Sequence, residues 1–210
     1  MIKNIFCLVA VFLPWPMKYV LYKYIFRWDV DYRARVGMSF INANQVSMAK
    51  GALIKNLTIV RGVNYLKMGE SSRVGNLNWI SSSQGTGSLI LNEHSAVTNR
   101  HYIDCTADVK VGRFSTLAGV KSTILTHSID VYKSKQTSFS VSIGDYCFIG
   151  TGVILLAGCE IENNVVIGGG ALVTGHLEEA NCLYAGVPAR MVKPFSGEVK
   201  YFERTTGYVD

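Results

Sequence analysis

Charge is scarce in this sequence. Asp, Glu, Lys and Arg supply 17% of its 210 residues, while apolar types supply 49%. That balance lets a chain bury a core and excludes intrinsic disorder. Positive charge is thin over most of the length. Residues 1–40 carry Lys3, Lys18, Lys23, Arg27, Arg33 and Arg35 against Asp29 and Asp31, a surplus of four. The rest of the chain holds only the other two of the net +6. A nucleic-acid binder would spread a basic stripe over its folded body, so nucleic acid is not an expected partner. Paired cysteine motifs are missing too. Cys7, Cys105, Cys147, Cys159 and Cys182 are odd in number and contain no C-x-x-C, which favours neither a disulfide framework nor a zinc site. Free thiols in a reducing cytoplasm are the simple reading. Long hydrophobic runs are also lacking. The apolar run Ile5–Leu13 ends at Pro14-Trp15-Pro16, far short of the ~20 residues a spanning helix needs. No small-residue cleavage site follows it, as a signal peptide would require.

What the sequence does have is a period of six. From Ile143 to Val173 every sixth residue is aliphatic: Ile143, Ile149, Leu155, Ile161, Ile167, Val173. The fifth position of each hexad is small or apolar as well: Cys147, Val153, Cys159, Val165, Ala171, Leu177. The same spacing recurs upstream in Met68, Val74 and Ile80, and in Leu91, Val97, Ile103 and Val109. Neither a helix nor a flat strand has this period. A chain wound as a prism does, if each flat side takes about six residues and sends one aliphatic side chain into a narrow interior. The glycines after Ile143, Ile149 and Ile167 are expected at tight corners, where other residues avoid the backbone angles. Such a coil is an all-β solenoid, a parallel β-helix whose turns touch only their neighbours. The phase breaks near 81–88 and 126–141, which read as loops leaving the scaffold. The organisation expected is a helical, apolar and basic segment over 1–40, a β-helix over 41–182, and a closing segment and tail over 183–210.

The hexads Ile-Gly-Asp-Tyr-Cys-Phe and Ile-Gly-Thr-Gly-Val-Ile resemble those of the hexapeptide-repeat acyltransferases. Tyr184-Ala185-Gly186-Val187-Pro188-Ala189-Arg190 is similar to the segment that closes the solenoid in the branch acetylating sugars, serine and xenobiotics. The resemblance spans about residues 60–195. It implies a left-handed coil, a homotrimer with a site at each interface, and acetyl-coenzyme A as acyl donor.

Acyl transfer to a hydroxyl needs a base for the hydroxyl proton. His127, at the start of the 126–141 loop, stands where the resemblance implies the catalytic histidine. Asp130 is a candidate to orient its ring, or simply a loop cap. Asp104, His101 and Asn99 lie in the stretch that holds the acceptor in related enzymes. For the coenzyme, position in the family points to Phe148 beside the thioester and to Thr151, Gly169, Gly170 and Thr174 along the pantetheine arm. Many relatives carry a lysine where Gly175 stands here; Arg190 and Lys193 are the charges available to replace it. No metal is implied. A zinc enzyme on the same scaffold would need three converging histidines, and the spacing of His94, His101 and His127 does not suit it. The acceptor expected is a sugar hydroxyl, free or in a lipid-linked saccharide of surface-polysaccharide synthesis. A small acceptor such as serine or an antibiotic, or an inactive binding solenoid, are the alternatives. Residues 17–28 lack a breaker after Pro16 and predict a helix whose aromatic and basic residues suit a lipid boundary. Residues 1–28 therefore cap the first coil, or also attach the protein peripherally to the inner face of a membrane.

Overall fold

The computed structural model describes residues 2–207, so the last three residues of the expected tail lie outside it. The chain is a parallel β-helix. In the regular part Ile143 pairs with Ile161, Ile149 with Ile167 and Leu155 with Val173, so each coil is three hexads. Strands stack into one sheet that covers two sides of the prism and a second that covers the third. All six aliphatic hexad residues are buried, and so are Cys147, Val153, Cys159, Val165, Ala171 and Leu177. Each such aliphatic side chain contributes about 1.5–3 kcal/mol relative to an exposed one. The upstream series Met68, Val74, Ile80 and Leu91, Val97, Ile103, Val109 is buried in the same columns. Paired strands begin at Asp29–Val30 and Arg35–Val36, inside the stretch expected to be a helical segment.

The glycines after the aliphatic positions serve a purpose other than the one expected. Gly144 and Gly150 are not among the residues with positive φ; Tyr146 and Gly152, two positions later, are. A Cβ on Gly144 would meet Asn163 N at 2.8 Å, and one on Gly150 would meet Gly169 N at 2.7 Å. They are glycine because the next coil passes too close for a side chain.

At one corner the column is polar in the early coils. Ser39, Thr58, Asn78, His101 and Ser122 are buried one above another. Thr58 N donates to Ser39 Oγ at 2.9 Å, Asn78 N to Thr58 Oγ1 at 3.2 Å, His101 N to Asn78 Oδ1 at 2.9 Å and Ser122 N to His101 Nδ1 at 3.1 Å. Each side chain thus satisfies a backbone group that burial would otherwise leave unpaired. Val153 and Ala171 continue the column in the last coils.

The two helices Ile2–Phe12 and Trp15–Val20, the latter running on into a wider turn Leu21–Ile25, close the first coil. Lys18 is buried there and donates to the carbonyls of Val36 and Gly37; burial lowers its pKa. Lys3 donates to Ala43 O at 2.7 Å. At the other end Cys182–Ala185 joins the solenoid and folds back antiparallel to Arg190–Pro194. The tail then runs back along an outer face. The Tyr201 ring packs edge-on against Phe148, and Arg204 lies 3.7 Å from the Tyr201 ring centre and bonds the Phe114 carbonyl.

His101 gives a pH test of this packing. Burial pulls its pKa down to about 4, against about 6.5 in an unfolded chain. Between those values the unfolded chain binds a proton that the folded one refuses, so stability falls as pH drops from about 6.5 toward about 4. Urea midpoints across that window should fall more steeply for the wild type than for His101→Gln; equal slopes would contradict the ladder.

Candidate active site

Thr123–Ile124 ends one side of a coil, and the chain then leaves the prism. His127–Asp130 pairs antiparallel with Lys135–Ser138, so the expected loop is a hairpin with His127 at its base. One coil earlier, Tyr102–Asp104 ends at the same corner, with Tyr102 opposite Thr123. That register brings Asp104 under His127. His127 Nδ1 and Asp104 Oδ2 are 2.8 Å apart. Thr126 N and Oγ1 donate to the same oxygen at 2.8 and 2.6 Å, and Thr106 N and Oγ1 donate to Oδ1 at 3.2 and 2.7 Å.

These bonds correct the expectation for Asp104. Its carboxylate is 2% exposed and its oxygens are occupied by protein donors, so it does not hold an acceptor. It orients the His127 ring. Burial acts to raise its pKa, but the bonds from Thr126, Thr106 and His127 outweigh burial and hold it below the usual carboxylate value. An ionised Asp104 keeps the His127 proton on Nδ1. Nε2 then carries a free lone pair, and it makes no hydrogen bond among the described residues. The ring is about one-third exposed and borders a cavity of about 560 Å³ that Arg61, Trp79 and Tyr102 also line. Asp130 accepts from Tyr132 N and Lys133 N at 3.0 and 3.1 Å; it caps the hairpin turn.

Two more acceptor candidates are corrected. His101 is buried in the polar ladder; its Nδ1 accepts a hydrogen bond from Ser122 N and its Nε2 lies 2.9 Å from Thr98 Oγ1. Asn99 Oδ1 accepts from Asn76 N at 2.8 Å, continuing a corner stack through Asn76 and Asn56. Asn99 lines a different cavity, shared with Phe148 and Tyr201. Within the one described chain His94 stacks on Phe114, while His101 and His127 are engaged as described.

The coenzyme candidates fall in separate groups. Phe148 is on the nine-stranded sheet, away from the sides that carry Tyr102 and Thr123. Thr151, Gly169 and Gly170 share a corner: Gly170 N donates to Thr151 O at 2.8 Å, and a Cβ on Gly169 would lie 3.2 Å from that oxygen. Thr174 is exposed, as are Arg190 and Lys193 in the closing strand. Sequence reasoning missed Arg61, Trp79 and Tyr102. Trp79 and Tyr102 directly precede Ile80 and Ile103 of the aliphatic columns, so the period placed them on the outer face.

Known proteins share this architecture. The description Bacterial transferase hexapeptide (six repeats) matches residues 140–175. A protein of Escherichia coli K12 named as a lipopolysaccharide biosynthesis O-acetyl transferase, WbbJ, is 29% identical over 134 residues, 57% of this chain and 67% of that protein. A hexapeptide-repeat acetyltransferase of Vibrio cholerae, solved with acetyl-coenzyme A, superposes with a TM-score of 0.56 at 18% identity, covering 62% of this chain and 71% of that one. The polysialic acid O-acetyltransferase OatWY gives 0.61 at 18% identity over 82% and 88%. The fold is thus the left-handed β-helix of these structures. Residues 140–175 carry the hexapeptide repeat, and the resemblance to the hexapeptide-repeat acyltransferases is borne out.

The hydrogen bonds assign opposite tautomers to two histidines. Nitrogen-15 spectra near neutral pH should show His127 protonated on Nδ1 and His101 on Nε2. An Nε2-protonated His127 would contradict the Asp104 contact.

Proposed function

We propose that the protein is an acetyl-coenzyme A-dependent O-acetyltransferase acting on a saccharide hydroxyl, with His127 as general base. The observation that carries this reading is the 2.8 Å contact between His127 Nδ1 and a buried carboxylate held below its usual pKa. Asp104 is the positioning residue. It stabilises the imidazolium once His127 Nε2 has taken the hydroxyl proton. The acceptor oxygen attacks the thioester carbonyl, the carbonyl π electrons move to oxygen, and collapse expels the coenzyme thiolate. That thiolate takes the proton back from Nε2. Little more is required if donor and acceptor are held in line. The WbbJ name favours a surface-polysaccharide acceptor, and the acetyl-coenzyme A complex of the Vibrio cholerae protein favours the donor.

The coenzyme arm is assigned to the Thr151–Gly170 corner, with Phe148 near the thioester and Arg190 and Lys193 near the phosphates. On one chain this corner and His127 belong to different parts of the prism. A homotrimer, in which one copy's corner meets its neighbour's His127, brings them together. Replacing His127 with Ala should lower turnover about 100-fold or more, with coenzyme A binding and trimer mass unchanged. Near-normal turnover would overturn the assignment.

The N-terminal helices support peripheral contact with a lipid surface as well as capping. Ile5, Leu8, Val9 and Phe12 of the first helix are exposed, Phe12 at 82%, and so are Met17, Val20, Tyr24 and Ile25 of the second. Among the described residues no helix is long and apolar enough to cross a membrane. Lys18 is spent inside the cap and Lys23 faces Asp29 at 3.4 Å, so the contact is chiefly apolar; Arg27 is exposed and makes no ion pair among the described residues. In flotation with anionic vesicles the full chain should rise, and a Leu8→Glu, Phe12→Glu chain, which leaves the cap intact, should not. Equal behaviour would reduce the segment to a cap.

A further inference from the structure

We propose that the cavity beside His127 is built for an anionic saccharide, with Arg61 binding the acid group and Trp79 and Tyr102 flanking the sugar. The inference rests on the acetyl-transfer reading only for the role of His127; the binding site itself is argued from other residues.

The register sets the layout. Arg61 stands opposite Ser81, and Ser81 opposite Asp104. Arg61 is therefore two rungs along the row that ends at the carboxylate under His127. Rungs are about 4.8 Å apart, so about 10 Å of backbone separates the two, room for a sugar between guanidinium and imidazole. The adjacent row holds Trp79 opposite Tyr102. Both are well exposed, at 43% and 38%, on an outer face where a soluble solenoid has no need of large rings. Trp79 Nε1 donates to Ser81 Oγ at 3.2 Å, which ties the indole to the row that carries Arg61. Aromatic rings offer an apolar wall to the C–H face of a pyranose, while their polar ends stay wet.

The far wall is the loop over residues 82–87. It is held down at both ends: Ser83 Oγ is 2.9 Å from Thr106 Oγ1, the hydroxyl that also bonds Asp104, and Thr86 Oγ1 donates to Thr106 O at 2.9 Å. Gln136 of the hairpin reaches Ser83 Oγ at 3.5 Å. The loop and the hairpin, which interrupt the six-residue period, thus enclose one space. Its volume of about 560 Å³ is in the range of small-ligand clefts.

Charge decides the ligand class. The charged or titratable residues lining the cavity are Arg61, Tyr102, Asp104 and His127, and the Tyr102 phenol is neutral at physiological pH. Asp104 is ionised, but its oxygens face the donors of Thr106, Thr126 and His127. It lies two rungs from Arg61, so its charge acts on the imidazole and leaves the Arg61 end of the cavity cationic. Arg61 is exposed; its carbonyl accepts from Ser82 N at 3.0 Å, while its guanidinium makes no ion pair or hydrogen bond among the described residues. A guanidinium held on a strand, unpaired, beside two rings and a base suits a carboxylate or a phosphate, which it can grip with two parallel bonds. To a neutral sugar it offers only ordinary hydrogen bonds to hydroxyls, about half as strong as those to an anion.

The test uses three probes on the full-length protein: a sialic-acid trisaccharide for the carboxylate, a uridine-diphosphate sugar for the phosphate, and maltotriose as the neutral control. Affinity is read by saturation-transfer NMR and acetyl transfer by thiol release. The wild type should bind at least one anionic probe about 10-fold more tightly than maltotriose. Arg61→Gln should lose about 10-fold or more for that probe, the scale of a charge-assisted hydrogen bond, with maltotriose unchanged, and Arg61→Lys should recover part of the loss. Whichever anionic arm responds identifies the acid. Arg61-dependent binding with no acetyl transfer to any probe would uphold the anion site while counting against the acetyl-transfer reading. Equal affinity of the wild type for all three probes, or an Arg61→Gln that binds the anionic probes normally, would overturn the proposal.

Discussion

Everything in this protein depends on the stacking of one aliphatic side chain per hexad on its counterpart a coil away. The prism interior is narrow, and Ile149 on Ile167 or Leu155 on Val173 leaves no space for water. Such an interior tolerates a polar group only if it is bonded. That rule explains the ladder from Ser39 to Ser122, in which each side chain accepts a hydrogen bond from the backbone N–H of the next. It also explains why His101 is structural: a ring at that position has no route to solvent.

The same constraint expels chemistry to the corners. Regular coils offer only short strands and tight turns, with glycines such as Gly144 where the next coil passes close. Reactive geometry is made where the winding is interrupted. The loop over 82–87 and the hairpin based on His127 leave at one corner from coils two apart, and the coil between them carries Asp104. Asp104 is buried because it ends a strand of the prism; His127 is accessible because it begins the excursion. A buried acid beneath an accessible imidazole is therefore a consequence of where the period breaks.

Much of the fold was legible in the sequence because the hexads from Ile143 onward are uninterrupted, and burial follows them residue by residue. Upstream the corners vary in length, so the polar column at 39, 58, 78, 101 and 122 has no constant spacing, and His101 could not be told from a surface histidine. His127 was legible as the histidine at the start of a phase break. Its partner was not. Asp130 is near in sequence but turns into the hairpin, whereas Asp104 is 23 positions away and meets His127 only through strand register. Lys18 lies in the stretch 17–28 whose basic residues suit a lipid boundary, but it is buried and donates to the carbonyls of Val36 and Gly37 at the open end of the first coil.

The central claim is that Asp104 makes His127 a base. The direct measurement is the turnover of Asp104→Asn with acetyl-coenzyme A and an accepted saccharide, at a temperature where both proteins are folded, alongside its affinity for coenzyme A. An asparagine in this place no longer enforces the Nδ1-protonated ring. The account predicts a loss of about 100-fold or more in turnover with coenzyme A affinity unchanged. Turnover within a few-fold of the wild type would contradict it.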